Sequence, residues 1–139
     1  MGTSVANPYV TSLEIKNHPK GDVYKALKKS ESSFEGFGEA YFTSIKHSEI
    51  KGWKMHKKMH MNLISIVGAV RFYVRSGIEH NLYKFDLAEN NYGRLTIPCG
   101  NWVAFEGLGN GTNIILNIAS IEHDPDEADS MPLSAMSLK

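Results

Sequence analysis

The chain reads as an all-β sandwich or barrel on three observations. Short apolar or alternating segments recur along most of its 139 residues. Clusters of Gly, Pro and Asn interrupt them at a spacing of roughly 8 to 12 residues, the interval typical of strands joined by tight turns. No segment of useful length repeats its apolar residues at the helical period.

The elements follow in order. Residues 1–12 read as a loose N-terminal arm, and Leu13 to Lys16 as a short strand before the turn His18-Pro19-Lys20-Gly21-Asp22. Val23 to Lys29 fits a strand or one helical turn. Ser30 to Gly38, with its three serines and two glycines, is a loop, and EAYFTSI from Glu39 to Ile45 alternates as a strand does. His47 to Glu49 turns the chain into the segment Ile50 to Val70. Asn62 to Arg75 is rich in Ile and Val with Gly68 at its centre, which predicts a hairpin of two antiparallel strands folded at that glycine. Leu82 to Leu87, Gly93 to Pro98, Trp102 to Gly107 and Asn113 to Ala119 are further strands. From Asp124 the composition changes: Asp124-Pro125 caps one helical turn, Pro132 stops it, and residues 124–139 are expected to form a peripheral tail.

Length and charge narrow the function classes. The size fits one domain over residues 1–139. Fifteen basic and fifteen acidic residues cancel, so no overall field draws the chain to nucleic acid or to an anionic membrane. An anionic ligand then needs a local cluster. The single cysteine, Cys99, excludes an intrachain disulfide and suits a reducing cytoplasm. No run approaches the roughly 20 apolar residues of a membrane span, so a soluble, cytoplasmic protein is expected.

The local cluster lies just before the Ile- and Val-rich run. Lys54, His56, Lys57, Lys58 and His60 fall within seven residues. Side chains alternate along an extended strand, so Lys54, His56, Lys58 and His60 share one face if no bulge intervenes. That face is either a reaction cavity or a wet edge, since lysines also guard strand edges against pairing. Moving a proton on the carbon beside a carbonyl needs a base near working pH and a cation beside the developing enolate. His56 has the right ordinary pKa, Lys54 becomes a base if its own is lowered, and Lys57 and Lys58 suit a diphosphate or an enolate. Metal binding fits less well: Trp102-Val103-Ala104 stands where a third histidine is wanted, so neither metal nor other cofactor is expected. Tyr41, Phe72, Tyr73, Trp102 and Phe105 read first as core. Glu122-His123-Asp124 reads as a loop-end salt bridge.

Several patches, in order, resemble the cupin-fold sugar-nucleotide epimerases and ketoisomerases. Gly38-Glu39-Ala40-Tyr41-Phe42-Thr43-Ser44 is similar to an early strand of that group. Lys51-Gly52-Trp53-Lys54-Met55-His56-Lys57-Lys58 is similar to its Arg-Gly-aromatic-His-Ala-His-Lys-Lys motif, and Leu95 to Trp102 to its Ile-Pro-Pro-Gly-Val-Trp. Lys54 stands where the motif carries its first histidine. The resemblance implies a cupin, a double-stranded β-helix or jelly roll of two antiparallel sheets, to which the Asp124-Pro125 reading adds a short helical turn near the C-terminus; such a barrel has edge strands and a loose N-terminal arm to exchange, so a homodimer is expected. The resemblance also implies epimerisation or ketoisomerisation of a nucleotide-linked 4-keto-deoxysugar, in surface-polysaccharide biosynthesis. His56 and Lys54 would then transfer protons, with Lys57, Lys58, His60, Tyr73, Asn117 and Trp102 binding substrate. A non-catalytic sugar or sugar-nucleotide binder and a metal-dependent cupin are the alternatives.

Overall fold

The computed structural model describes residues 5–139. Its strands are β1 (Tyr9–Ser12), β2 (Ile15–Lys16), β3 (Val23–Tyr24), β4 (Glu39–Ile45), β5 (Ile50–His56), β6 (Met61–Val67), β7 (Ala69–Ser76), β8 (Leu82–Ala88), β9 (Gly93–Ile97), β10 (Asn101–Gly107), β11 (Asn113–Ala119) and β12 (Ala128–Ser130). They form two five-stranded antiparallel sheets, ordered β1-β9-β6-β11-β4 and β12-β5-β10-β7-β8, with β2 and β3 as a separate pair. This is the jelly roll of the cupin fold.

Alternation sorts the side chains into layers. On β7, Val70, Phe72 and Val74 point between the sheets, where they meet Leu63, Leu95, Ile97, Val103 and Ile115. The opposite face of the second sheet is also apolar: Trp53, Tyr73, Trp102 and Ala104 form a second cluster there. Such a face needs cover, and the C-terminal segment supplies it with Met131, Leu133, Met136 and Leu138. Arg75 fixes that segment by donating from Nε to the Ser137 carbonyl at 2.9 Å, and Trp53 Nε1 donates to the Met136 carbonyl at 3.3 Å. The four covering side chains are themselves only partly buried, but Trp53, Tyr73 and Trp102 beneath them are buried, and a large apolar side chain fully removed from water is worth about 1.5 to 3 kcal/mol. The tail expected to be peripheral is therefore an integral layer, and β12 is the edge strand of the second sheet.

Three further expectations change. Tyr9–Ser12, read as part of a loose arm, pairs antiparallel with β9, while the arm's first four residues lie outside the described residues. Gly68 does turn the chain, but β6 and β7 do not pair as a hairpin; β6 lies between β9 and β11, and β7 between β10 and β8. Gly68 is the corner where the chain crosses from one sheet to the other. Its φ of 77° is left-handed, and an added Cβ would stand 2.2 Å from Asn113 Oδ1. That same oxygen accepts from Ala69 N at 2.9 Å and Gly109 N at 3.1 Å, so Asn113 holds the corner together. Among the described residues Glu122-His123-Asp124 forms no ion pair; His123 N donates to Glu39 at 2.9 Å, and Asp124 caps the 3-10 turn Pro125–Glu127 through Asp126 N at 3.0 Å.

Gly68→Ala combines a left-handed backbone with a clash against Asn113, so it should destabilise the protein by about 2 to 3 kcal/mol in urea unfolding. An alanine tolerated within about 0.5 kcal/mol would show that the corner is not constrained.

Candidate active site

A cavity of about 400 Å³ opens between the sheets on the side where β4 and β12 are the edges. Tyr41, Thr43, Ile115 and Asn117 line it from the first sheet, and Lys51, Lys54, His56 and Phe105 from the second. Met61, Leu63, Phe72 and Val103 make its walls largely apolar.

Register explains why these side chains converge. Lys54 pairs with Val103 and Lys51 with Phe105, so Gly52 and Trp53 together oppose the single residue Ala104. This bulge shifts the phase of β5. Lys51 and Lys54, three apart, would face opposite sides of a regular strand; here both line the cavity. Trp53 packs against the outer cluster instead. Gly52 is required where the bulge presses on β10, because a Cβ there would lie 2.4 Å from that of Ala104. Beyond the bulge normal alternation resumes and carries His56 to the same side as Lys54.

His56 is buried and its Nδ1 hydrogen-bonds Glu127 Oε1. Glu127, in the 3-10 turn before β12, is only 3% exposed. Its Oε2 accepts from the backbone N–H groups of Lys58 at 3.0 Å and Met59 at 3.2 Å. Burial pushes the Glu127 carboxyl up, but the bonds from His56, Lys58 and Met59 outweigh it and hold the pKa below its ordinary value. An ionised carboxylate therefore stands behind the imidazole. It fixes the protonated nitrogen at Nδ1 and leaves Nε2 to accept a proton. Among the described residues no group of three or more His, Cys, Asp and Glu is arranged to hold a metal ion.

The sequence-expected site residues divide cleanly. His56, Lys54 and Asn117 line the cavity. Lys58 and His60 do not, because β5 ends at His56 and the alternation that would have aligned them stops there. His60 is held by its backbone N–H to Ser120 Oγ at 2.8 Å, while exposed Lys57 pairs with Asp129 at 3.7 Å. Tyr73 and Trp102 belong to the outer cluster, one residue out of phase with the cavity-facing positions of β7 and β10. Burial, reinforced by the hydrogen bond to Glu106 at 2.7 Å, raises the Tyr73 pKa, so it is a neutral structural phenol. Lys51, Tyr41, Thr43 and Glu127 are what the motif reading missed. An acidic residue within the turn that Asp124 caps was the available sign of Glu127, but nothing local shows that the turn folds back on β5.

The class of protein follows from this combination: a cupin of the sugar-nucleotide epimerase and isomerase fold, the group that the motifs around Gly52 and Pro98 resemble. No family model and no curated protein matches the chain, but solved structures do. A dTDP sugar isomerase from Desulfovibrio desulfuricans is 26% identical, with a TM-score of 0.90 over 96% of this chain and 92% of that one. The dTDP-4-dehydrorhamnose 3,5-epimerase of Elizabethkingia anophelis is 14% identical, with a TM-score of 0.78 over 96% and 80%. A sugar 3,4-ketoisomerase from Thermoanaerobacterium thermosaccharolyticum, solved in complex with TDP, is 19% identical, with a TM-score of 0.75 over 88% and 87%.

Glu127→Ala removes the partner of two backbone donors and of His56, so it should cost about 3 to 5 kcal/mol in urea unfolding. The carboxyl pKa is lower folded than unfolded, where the ordinary value is 4.5. Its stabilisation is thus complete above that value and is lost as pH falls through the lower folded pKa. Melting curves should show the wild type's advantage over Glu127→Ala shrinking as pH falls below about 4; an advantage undiminished there would contradict the assignment.

Proposed function

We propose that this chain is an epimerase or ketoisomerase that transfers a proton on the carbon beside the carbonyl of a nucleotide-linked 4-keto-deoxysugar. The observation that carries the reading is His56, backed by buried Glu127, lining a largely apolar cavity that two lysines also line. The shared fold with sugar-nucleotide isomerases and epimerases supports it.

In this mechanism Nε2 of His56 takes the proton from the carbon, the C–H electron pair forms the new C=C bond, and the carbonyl π pair moves onto the oxygen. Glu127 stabilises the resulting imidazolium without itself being protonated. Lys54 neutralises the enolate oxygen, an interaction that strengthens as apolar walls and ligand exclude water. Protonation of the same carbon on its opposite face by a solvent-derived proton, with His56 releasing its own to solvent, inverts it; delivery from His56 to the neighbouring carbon, as the enediol's hydroxyl proton passes to the former carbonyl oxygen, moves the carbonyl. Lys51 takes the place that the sequence gave to Lys57 and Lys58 as the cation for the diphosphate. Its Nζ donates to the Ser44 carbonyl at 2.8 Å and lies 5.9 Å from the centre of the Phe105 ring, which leaves ammonium protons for an anion.

A second reading, a sugar-nucleotide binder without catalysis, rests on Lys54 in the place of the motif's first histidine. NMR of 4-keto-sugar nucleotides in heavy water separates the two: deuterium uptake at C3 or C5 marks the enzyme, and shift changes without uptake mark the binder. For the enzyme, His56→Ala should abolish uptake and Glu127→Gln should slow it about a hundredfold. Uptake unchanged in His56→Ala would remove His56 from the mechanism.

The expected homodimer has a candidate face on the outside of the first sheet. There Phe42 is 66% exposed and pairs in register with Leu116, beside Ile118. An exposed apolar patch on a sheet marks an association surface. Phe42→Asp should shift light-scattering mass from dimer to monomer, and a monomeric wild type would overturn the assignment.

A further inference from the structure

The two walls of the cavity differ in kind. The second sheet brings the titratable groups, Lys51, Lys54 and His56, whereas the first brings neutral polar ones, Tyr41, Thr43 and Asn117. Depth sorts them further. Lys51 and Lys54 are exposed and belong to the mouth; His56 and Asn117 are buried and belong to the floor.

Asn117 is hard to explain as packing. It is 2% exposed, with Leu63 opposite it on β6 and Met59 Sδ 3.9 Å from its Nδ2. A leucine would fit such surroundings without leaving a polar atom unpaired. Nδ2 donates to the Tyr41 hydroxyl at 3.0 Å, but Oδ1 has no partner. Among the described residues four buried side-chain polar atoms lack a partner, on Ser65, Arg94, Asn101 and Asn117. Of those residues only Asn117 lines the cavity. A buried unpaired acceptor is a standing cost to the fold. The cost is removed if a ligand brings a donor.

We infer that Asn117 reads a sugar hydroxyl: its Oδ1 accepts a hydrogen bond from the hydroxyl on the carbon next to the carbonyl. This deepens the proposed function and rests on it. A ligand whose diphosphate is held by Lys51 at the mouth puts its sugar further in, with its carbonyl oxygen within reach of Lys54 and its ring between His56 on one sheet and Asn117 on the other. The base then reaches one face of the ring while the amide meets a substituent from the opposite wall. Rotation about the Cβ–Cγ bond of asparagine is soft, so the amide turns toward the hydroxyl without moving β11. Tyr41 accepts from Nδ2, which leaves its own O–H free to donate to the neighbouring carbonyl oxygen. The pair thus offers one acceptor and one donor side by side, the complement of an α-hydroxy ketone. A deoxy sugar at that carbon leaves Oδ1 unpaired and is selected against.

The test compares TDP-4-keto-6-deoxyglucose with its 3-deoxy counterpart, by calorimetry and by deuterium uptake in heavy water. The wild type should bind the hydroxylated ligand about ten to a hundred times more tightly. Asn117→Leu should reduce that ratio to about threefold or less by losing the hydroxylated ligand while keeping the deoxy one. Tyr41→Phe, which retains the Asn117 acceptor, should weaken both and preserve the ratio. Wild-type affinities within threefold of each other overturn the inference whether or not either variant folds, and so does a ratio that survives in folded Asn117→Leu. A ratio present without deuterium uptake supports the hydroxyl reader and rejects the catalytic reading. If the wild type binds neither ligand, both fall.

Discussion

The contact between the His56 imidazole and the Glu127 carboxylate ties the end of the chain to its middle, and the site exists because of it. Glu127 receives His56 through one oxygen and the backbone N–H groups of Lys58 and Met59 through the other. Ionising a carboxylate in so dry a place is unfavourable unless each lone pair finds a donor. Three donors meet that demand. The same two backbone groups define how the chain leaves β5, so the turn that ends the strand and the residue that orients the His56 imidazole are one structure.

β12 extends this coupling. Its pairing sets Ala128 opposite His56 and Ser130 opposite Lys54, while Met131, Leu133, Met136 and Leu138 cover the outer face of the same sheet. The C-terminal segment therefore has two tasks that cannot be separated. It screens Trp53, Tyr73 and Trp102 from water and delivers the carboxylate that fixes the His56 imidazole. Packing on the outside of the sheet fixes electrostatics on the inside.

Sequence reading recovered most strand positions because alternation and turn residues are local. Glu39–Ile45 matches β4 residue for residue, and Asn113–Ala119 matches β11. It misjudged pairing. A glycine between two apolar strands reads equally as a hairpin turn or as a corner between sheets, and only the neighbours β9, β10 and β11 decide which. Lys58 and His60 failed for a related reason: extrapolated alternation assumes that the strand continues, and β5 stops at His56. Tyr73 and Trp102, which read first as core and which the resemblance implies as substrate-binding, lie by register on the outer face.

By itself, then, the sequence determined the all-β class, the order of the strands, the placement of Lys54 and His56 on one face, and the family that the Gly52 motif resembles. The first three are consequences of short-range periodicity and spacing, whereas the last is a motif resemblance. Only the tertiary structure decided that Glu127 stands behind His56, 71 positions away, that the bulge at Gly52 and Trp53 brings Lys51 to the cavity, and that Asn117 keeps an acceptor unpaired among apolar side chains. Each depends on which distant backbone lies alongside and on what water can no longer reach. Neither quantity is written in any local window of residues.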